Sequence, residues 1–581
     1  MKWDLGVFYK NAKDPEILEE LKRNLENMRE LAEKYENRLN ERILAEEFEN
    51  FLRNQEKILE RTLKVVQFAG LYFSENTQNP EAQKLLNISH QYFSQMEEVM
   101  ASLKSAVAKL SDEKLTKLSE EIPQYSYFFE KIKDEKKHIL SKDAEQILAA
   151  TSISRRDALA ELYEKIVSSY TFEIEIDGEK KVLNDSQMRA LRKSPDGKLR
   201  KEAMRLLFKK YEEDKIPLNG LYNIVVKDYD TEARLRKFPK PISMRNLANS
   251  VTDESVNKLI EVTTENTEIV HKYYKWKAKK MEEKLTLADI YAPITNDVKK
   301  YSFDDAKEIV IEAYYEFNEQ AGKIIKSFFD ENRIHSDIVH GKAGGAFCSY
   351  YTPKIKPFIL MNFNGNISDV MTLAHELGHG LHGTLSAKQT LLNYHTPLTM
   401  AELASVFGEF LVFDKLKSQL TGKEKISLIA STIEETFATM FRQNMFARFE
   451  IQAHENISKN GFATWEELSE FYKKELKVMF GNSVEIPPEY HFEWATIPHL
   501  YHTPFYVYAY NFANCIAIAI YQKYLEEGKR FVPKYIELLE SGGKDKPERL
   551  LKKVGIDLGN ENFWQKAFDY LKSMVDEISE G

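Results

Sequence analysis

Cysteine is nearly absent: two residues in 581, Cys348 and Cys515. Two thiols cannot build a disulfide framework, so the chain reads as one kept in a reducing, cytoplasmic compartment. Both are expected as buried, small apolar side chains rather than reactive thiols. Excess basic charge is missing too. The net charge is −9 and the pI near 5.9, which argues against general nucleic-acid binding, because that needs a basic footprint. Long hydrophobic runs are absent. The most apolar stretch, YVYAYNFANCIAIAIY at 506–521, contains Asn511 and Asn514 and is too short to span a bilayer. It reads as a buried core helix, and no membrane partner is expected. The opening MKWDLGVFYKNAKD lacks the basic-then-apolar pattern of a secretory leader. Pro, Gly and Ser never cluster into a flexible linker, and no fixed-period repeat is visible.

What is present is helical periodicity. The first ~165 residues carry long stripes such as EILEELKRNLENMRELAEKYENRL (16–39), broken at NTQNP (76–80), LSDEK (110–114) and EIPQY (121–125). The interruptions favour antiparallel helical hairpins over a coiled coil. TFEIEIDGEKKVL (171–183) alternates apolar and polar residues about Asp177-Gly178, a hairpin signal. A second β-like zone covers 337–363 and ends in KPFILMNF, a short strand. The chain exceeds the size at which one core stops growing. The expected class is mainly α with a small β-sheet beside one key helix, divided into an N-terminal helical region with a hairpin (1–185) and a catalytic domain (186–581).

That key helix holds LAHELGHGLH at 373–382. Positions four apart share a helix face, so His375 and His379 can present ring nitrogens to one ion. Glu376, next to the first ligand, can reach a water on that ion without binding the ion itself, as a general base must. Asn366 to Asp369 supply capping residues, and the strand-like 358–363 just before could lay a sheet edge along the cleft, where peptides commonly add as a strand. A metzincin would need Gly and His where this chain has His382 and Leu385, so the third ligand must come from another element. TMAELASVFGEF (399–410) starts a helix in which Glu402 and Glu409 share a face. One can ligate while the other holds a ligand histidine. Thr399-x-x-Glu402 is also a capping-box pattern, which would explain a glutamate there without a metal. His382 reads as an ordinary helix histidine outside the metal set. GKAGGAF (341–347) lacks the Lys-Ser/Thr of a phosphate-binding loop.

HELGHGLH followed by AELASVFGEF resembles the thimet-oligopeptidase family of zinc peptidases, most closely its oligoendopeptidase F branch. WDLGVFY, FEIEIDGEKKVL, KPFILMNFNG, FRQNMFARFE (441–450), IPHLYHTPFYVYAYNFA (497–513) and SGGKDKPERLLKKVGIDL extend the similarity over nearly the whole chain. The resemblance implies an ellipsoidal, mostly helical body with a deep channel walled by the N-terminal helices. It implies one zinc ion on His375, His379 and Glu402, Glu376 as the catalytic base, and Glu409 supporting a ligand. It also implies that a His/Tyr-rich segment near the C-terminus holds the scissile carbonyl and substrate backbone. Here His499, Tyr501, His502, Tyr506, Tyr508 and Tyr510 are available, with Tyr508 and His499 the foremost candidates for the oxyanion donor. The thimet pattern has a glycine pair before its tyrosines that this chain lacks, and side chains at i, i+2 and i+4 cannot all face one way in a helix. Gly344 and Gly345 would border the substrate.

The expected function is therefore zinc-dependent endopeptidase action on short, unstructured oligopeptides. Two alternatives stand beside it. A zinc carboxypeptidase or dipeptidase would need a charged anchor for a peptide terminus, such as Arg333 or Arg442. A non-catalytic peptide-binding protein would have no use for Glu376.

Overall fold

Hydrophobic spacing organises the first hundred residues. Pro15–Tyr35 starts on an Asp14 cap with Pro at its first position, and buries Ile17, Leu21, Leu25 and Met28, a stripe one turn apart. Ala45–Glu75 and Pro80–Ala108 bury matching stripes, and the three helices pack on one another. Leu25, Met28, Phe48, Phe51, Leu115 and Phe129 meet in their shared core. This is the arrangement of helical hairpins that the interrupted periodicity predicts. The computed structural model describes residues 1–295 and 299–580. It is mainly helical, with five short strands among the described residues, so the expected class is found. No helix of the described residues is long and apolar enough to cross a membrane.

The backbone clusters into two compact units, each assembled from three stretches: Met1–Lys137, Lys299–Gln419 and Lys523–Ile556; and His138–Val298, Leu420–Gln522 and Asp557–Gly581. The second unit holds the hairpin, β1 (Thr171–Ile176) and β2 (Glu179–Asn184), joined by Asp177 and Gly178, both at positive φ. That is the two-residue turn whose twist suits paired strands. Its core gathers Tyr222, Phe449, Tyr472 and Trp494. The stretch 506–521, expected as a core helix, is helical from Tyr508 and buried except at Tyr506 and Tyr510, which are partly exposed.

The first unit holds the second sheet, β3 (Ile334–His335), β4 (Phe347–Ser349) and β5 (Phe358–Leu360), in the order β3-β5-β4. Trp3, Phe8 and Phe68 pack on Phe358 and Leu360, while the motif helix Ile367–Leu385 contacts β4 and β5. The expectation that 358–363 offers the sheet edge is corrected here. β5 is paired on both sides, parallel to β3 and antiparallel to β4, and β4 carries the open edge.

Asp369 caps the motif helix by accepting the backbone N–H groups of Asn366 (3.0 Å) and Asn364 (2.7 Å). The helix then packs against Leu403–Gln419 more intimately than side chains normally allow. A Cβ on Gly378 would lie 2.4 Å from Ala404 O and 2.5 Å from Ser405 Cα; one on Gly408 would lie 1.9 Å from Tyr314 Oη. Glycine inside a helix costs roughly 1 kcal/mol relative to alanine, and here that cost purchases backbone-to-backbone contact. Gly378→Ala is expected to destabilise the fold by about 1–3 kcal/mol, the range for overpacking a filled core, and to weaken metal retention together with stability. Denaturant unfolding and metal content after dialysis check this; a variant matching the parent in both would show that the helices have room to separate.

Candidate metal centre and active site

The close helix contact sets two carboxylates over two imidazoles. Glu402 lies at the joint between a short turn, Leu398–Ala401, and the helix from Leu403, with φ −84° and ψ 1°. The turn has Pro397 at its cap position, with no side-chain cap bond. Thr399 thus sits inside the turn, and the capping-box explanation of Glu402 does not hold. Glu402 Oε2 is 3.3 Å from His375 Nε2 and 3.3 Å from His379 Nε2, and the two nitrogens are 3.2 Å apart. Zinc bonds of about 2.0–2.2 Å at tetrahedral angles place neighbouring ligand atoms about 3.3–3.5 Å from one another. These three residues form the group able to hold a metal ion among the described residues.

The surroundings orient that set. His375 Nδ1 bonds Glu409 Oε1, which leaves the Nε2 lone pair facing inward. Ser405 Oγ donates to Glu402 Oε2 at 2.8 Å and fixes the carboxylate. Ser405 is fully buried, and the sequence reading missed it. Its signal was a hydroxyl three residues after a candidate ligand on a buried face. Burial alone would lower the His375 imidazole, but the Glu402 and Glu409 carboxylates outweigh it and raise the group well above its ordinary value. Burial would likewise raise Glu402, yet hydrogen bonds to His375 and His379 hold it below the usual carboxylate range. Both shifts describe a pocket that draws positive charge. Glu376 is 6% exposed, and burial raises its proton affinity. His382 is buried and pushed down to about 3 by burial and then by His379, so it stays neutral and outside the set.

The open edge of β4 completes this part of the site. Ile359 N–H pairs towards β3, at Arg333 O (2.9 Å). By alternation, Cys348, opposite Ile359, turns its own N–H and C=O to the open side. Gln67 Nε2 donates to Ser349 O at 3.0 Å and steadies the strand end. Cys515 is buried and Cys348 partly exposed, both unpaired; burial pushes both thiols well above their ordinary value, so neither is a reactive thiol, though Cys348 is less buried than expected. Gly344 and Gly345 lie exposed in the loop before β4. Gly345 has φ +74°, and a Cβ on either would meet nothing. Asn362 ties the loop by donating to Ala343 O and Gly345 O, each at 3.0 Å.

The His/Tyr segment belongs to the second unit, and its members divide. His499, Tyr506 and Tyr510 form a half-exposed trio. The His499 and Tyr506 rings stack at 5.6 Å, and Tyr510 Oη lies 3.3 Å from His499 Nε2. Burial, then the neighbouring His502, holds His499 below its usual value. His502 is half-exposed, 3.1 Å from Glu164. Tyr508 and Tyr501 depart from the expectation of substrate-facing rings. Tyr508 is wholly buried with its hydroxyl accepting from Asn249 Nδ2 at 2.9 Å. Tyr501 is buried in a stack on Tyr163 at 4.0 Å. Helix geometry turns Tyr501 and Tyr508 inward and His499 and Tyr510 outward, and Tyr506 leaves the turn between the two helices. The proposed terminus anchors are engaged elsewhere: Arg333 donates to Pro357 O at 2.9 Å, over the Phe328 ring, and Arg442 pairs with the buried Glu493.

Comparison with known proteins finds matches along most of the chain. The model of peptidase family M3 matches residues 190–570, and that of oligopeptidase F matches 107–172. An oligoendopeptidase F homolog of Borreliella burgdorferi is 30% identical, the match covering 99% of this chain and 97% of the relative. Oligopeptidase PepF of Bacillus subtilis is 27% identical over 91% and 80% of the two chains. Among solved structures, a chain from Chlamydophila abortus superposes with a TM-score of 0.88 at 23% identity, covering 100% of this chain and 98% of its own. Oligoendopeptidase-F from Enterococcus faecium gives 0.72 at 22%, covering 98% of each chain.

Ser405→Ala and Glu409→Gln are each expected to weaken metal affinity by about 10- to 100-fold, the usual effect of removing a ligand's hydrogen-bond partner, whereas Glu402→Ala should abolish retention in the same dialysis. Metal analysis at equal free-metal concentration decides this; Glu402→Ala with full occupancy would move the third ligand to Glu409.

Proposed function

The chain belongs to peptidase family M3, and from that premise we propose that it is a zinc endopeptidase that hydrolyses internal bonds of short, unstructured oligopeptides. The observation carrying the proposal is the triangle of His375, His379 and Glu402 donor atoms, 3.2–3.3 Å on a side, with Glu376 on the next residue of the same helix. Two imidazoles and one carboxylate suit a single zinc with a remaining open position. Zinc bound there supplies the Lewis acid, which brings a bound water towards a pKa of ~7 and polarises a carbonyl.

The chain's own residues do the rest. Glu409 and Ser405 hold the ligand side chains in register. Glu376, its basicity raised by burial, takes the proton of the attacking water and passes it to the leaving amine. β4 offers Cys348 N–H and C=O to an extended peptide, so the substrate must be unfolded where it binds. The trio of His499, Tyr506 and Tyr510 replaces Tyr508 as the candidate for contacting the scissile carbonyl, with His499 or Tyr510 as donor. Two unpaired cysteines suit a cytoplasmic setting, and the acidic chain has no feature calling for a nucleic-acid partner.

Peptides of graded length, followed by mass spectrometry, are expected to show internal cuts that a chelator stops and zinc restores. Removal of single terminal residues would favour the exopeptidase alternative; no cleavage by zinc-loaded protein would favour peptide binding. Glu376→Gln should keep its zinc and lose activity by about 100-fold or more; normal turnover in that variant would remove Glu376 from the mechanism.

A further inference from the structure

The trio of the second unit depends on a strained turn. Thr503 to Tyr506 link the helix Pro498–His502 to the helix starting at Tyr508, and Tyr506 N–H closes on Thr503 O at 3.1 Å. Inside this turn Phe505 has φ +58°, a left-handed backbone that bulky side chains rarely adopt and that persists only where the surroundings impose it. The residue after it is Tyr506, whose ring stacks on His499. The dihedral at 505 therefore sets where Tyr506 leaves the turn.

Three contacts impose that geometry. Glu450, on the helix Phe441–Asn460 and 1% exposed, accepts Phe505 N–H at 2.9 Å. Arg245 Nε donates to Pro504 O at 3.2 Å. The Phe505 ring lies 4.3 Å from His454, itself held by Asp230 at 2.6 Å, and 5.7 Å from Tyr229. On another side the turn borders a cavity of about 460 Å³, lined by Thr503, Pro504, Tyr229 and Arg245 among others. The Phe505 ring is buried by packing on the other side, and towards the cavity the polar tethers hold the backbone. Burial pushes Glu450 up to about 8, against the opposing bond from Phe505. Glutamine keeps the acceptor oxygen at the same place without a charge to bury.

We propose that Glu450, assisted by Arg245, is a positioning residue for catalysis: by holding the Phe505 amide it locks the left-handed turn and so aims Tyr506 and His499 at the substrate. This rests on the peptidase reading, and the test separates the two. Hydrogen exchange reads the tether without any need for activity. In Glu450→Met, exchange at the 505–506 amides is expected to rise roughly tenfold or more, with residues 511–520 and zinc content unchanged. The same variant should lose kcat by about tenfold or more, with KM moved far less, because misoriented groups lose rate before binding. Glu450→Gln should restore both to within about two-fold, since it keeps the acceptor. A Glu450→Met turn that exchanges as in the parent overturns the tether; a loosened turn with parental kcat overturns the positioning role. Should Glu450→Met fail to fold, Arg245→Met at a half-exposed site carries the same paired comparison, with a smaller expected loss of about three-fold. A parent protein that cuts no peptide overturns the peptidase reading and the positioning role with it, while the exchange data still decide the tether.

Discussion

Everything at the metal centre follows from how closely two helices approach. His375 and His379 share a face of the motif helix by simple periodicity, but a carboxylate reaches their nitrogens because Gly378 admits the Ala404 and Ser405 backbone where a side chain would stand, while Gly408 makes room for the Tyr314 hydroxyl. The same approach puts Ser405 under Glu402 and Glu409 beside His375. The ligand spacing is thus a property of helix packing rather than of flexible side chains. A rigid donor set favours binding because little is left to be ordered when the ion arrives. The break in the second helix at Glu402 serves the same end, since a ligand at a helix joint can be aimed independently of the turns that follow.

The charge balance makes the case for a cation from the other direction. Glu376 is buried, and Glu402 and Glu409 lie partly buried against the two histidines, where like charges repel and desolvation is costly. Two imidazoles relieve this only by protonation, which is the direction their surroundings push His375. A divalent cation relieves it more completely, and it leaves the imidazoles neutral as ligands must be. Among the described residues Glu376 is buried with no hydrogen bond to its carboxylate, which distinguishes the proposed base from the two carboxylates proposed to hold or support the ion.

How far the sequence could be read tracks how local each feature is. The hairpin at Asp177-Gly178, the cap at Asn366–Asp369, the long amphipathic helices and the HExxH face all rest on residues a few positions apart, and periodicity exposes them. The edge strand was misassigned because KPFILMNF looks like a strand wherever it lies in a sheet. Only the pairing with β3, some 25 residues earlier, makes it central and hands the edge to Phe347–Ser349. The sequence favours Tyr508 over Tyr510 for a similar reason. Without the helix start, known only from the turn at Phe505, the inward and outward faces of YVYAY cannot be told apart. Gly378 and Ser405 were legible in principle: a run of glycines within a helix carries a propensity cost that demands a packing cause.

The two halves of the proposed chemistry are secured by different physics. Metal ligands, base and edge strand all lie in the first unit, fixed by close packing around buried glycines, where displacing one helix disturbs several contacts at once. The His499–Tyr506–Tyr510 trio lies in the second unit, on a short turn kept in an unfavourable dihedral by a buried acceptor and one arginine. Packing resists small displacements steeply because interiors are dense. A turn beside a cavity resists them through the packing of one ring, Phe505, and a few hydrogen bonds. In this proposed chemistry the trio's hold on the substrate carbonyl is therefore the part most open to adjustment by single substitutions, and the ion site the part that tolerates them least.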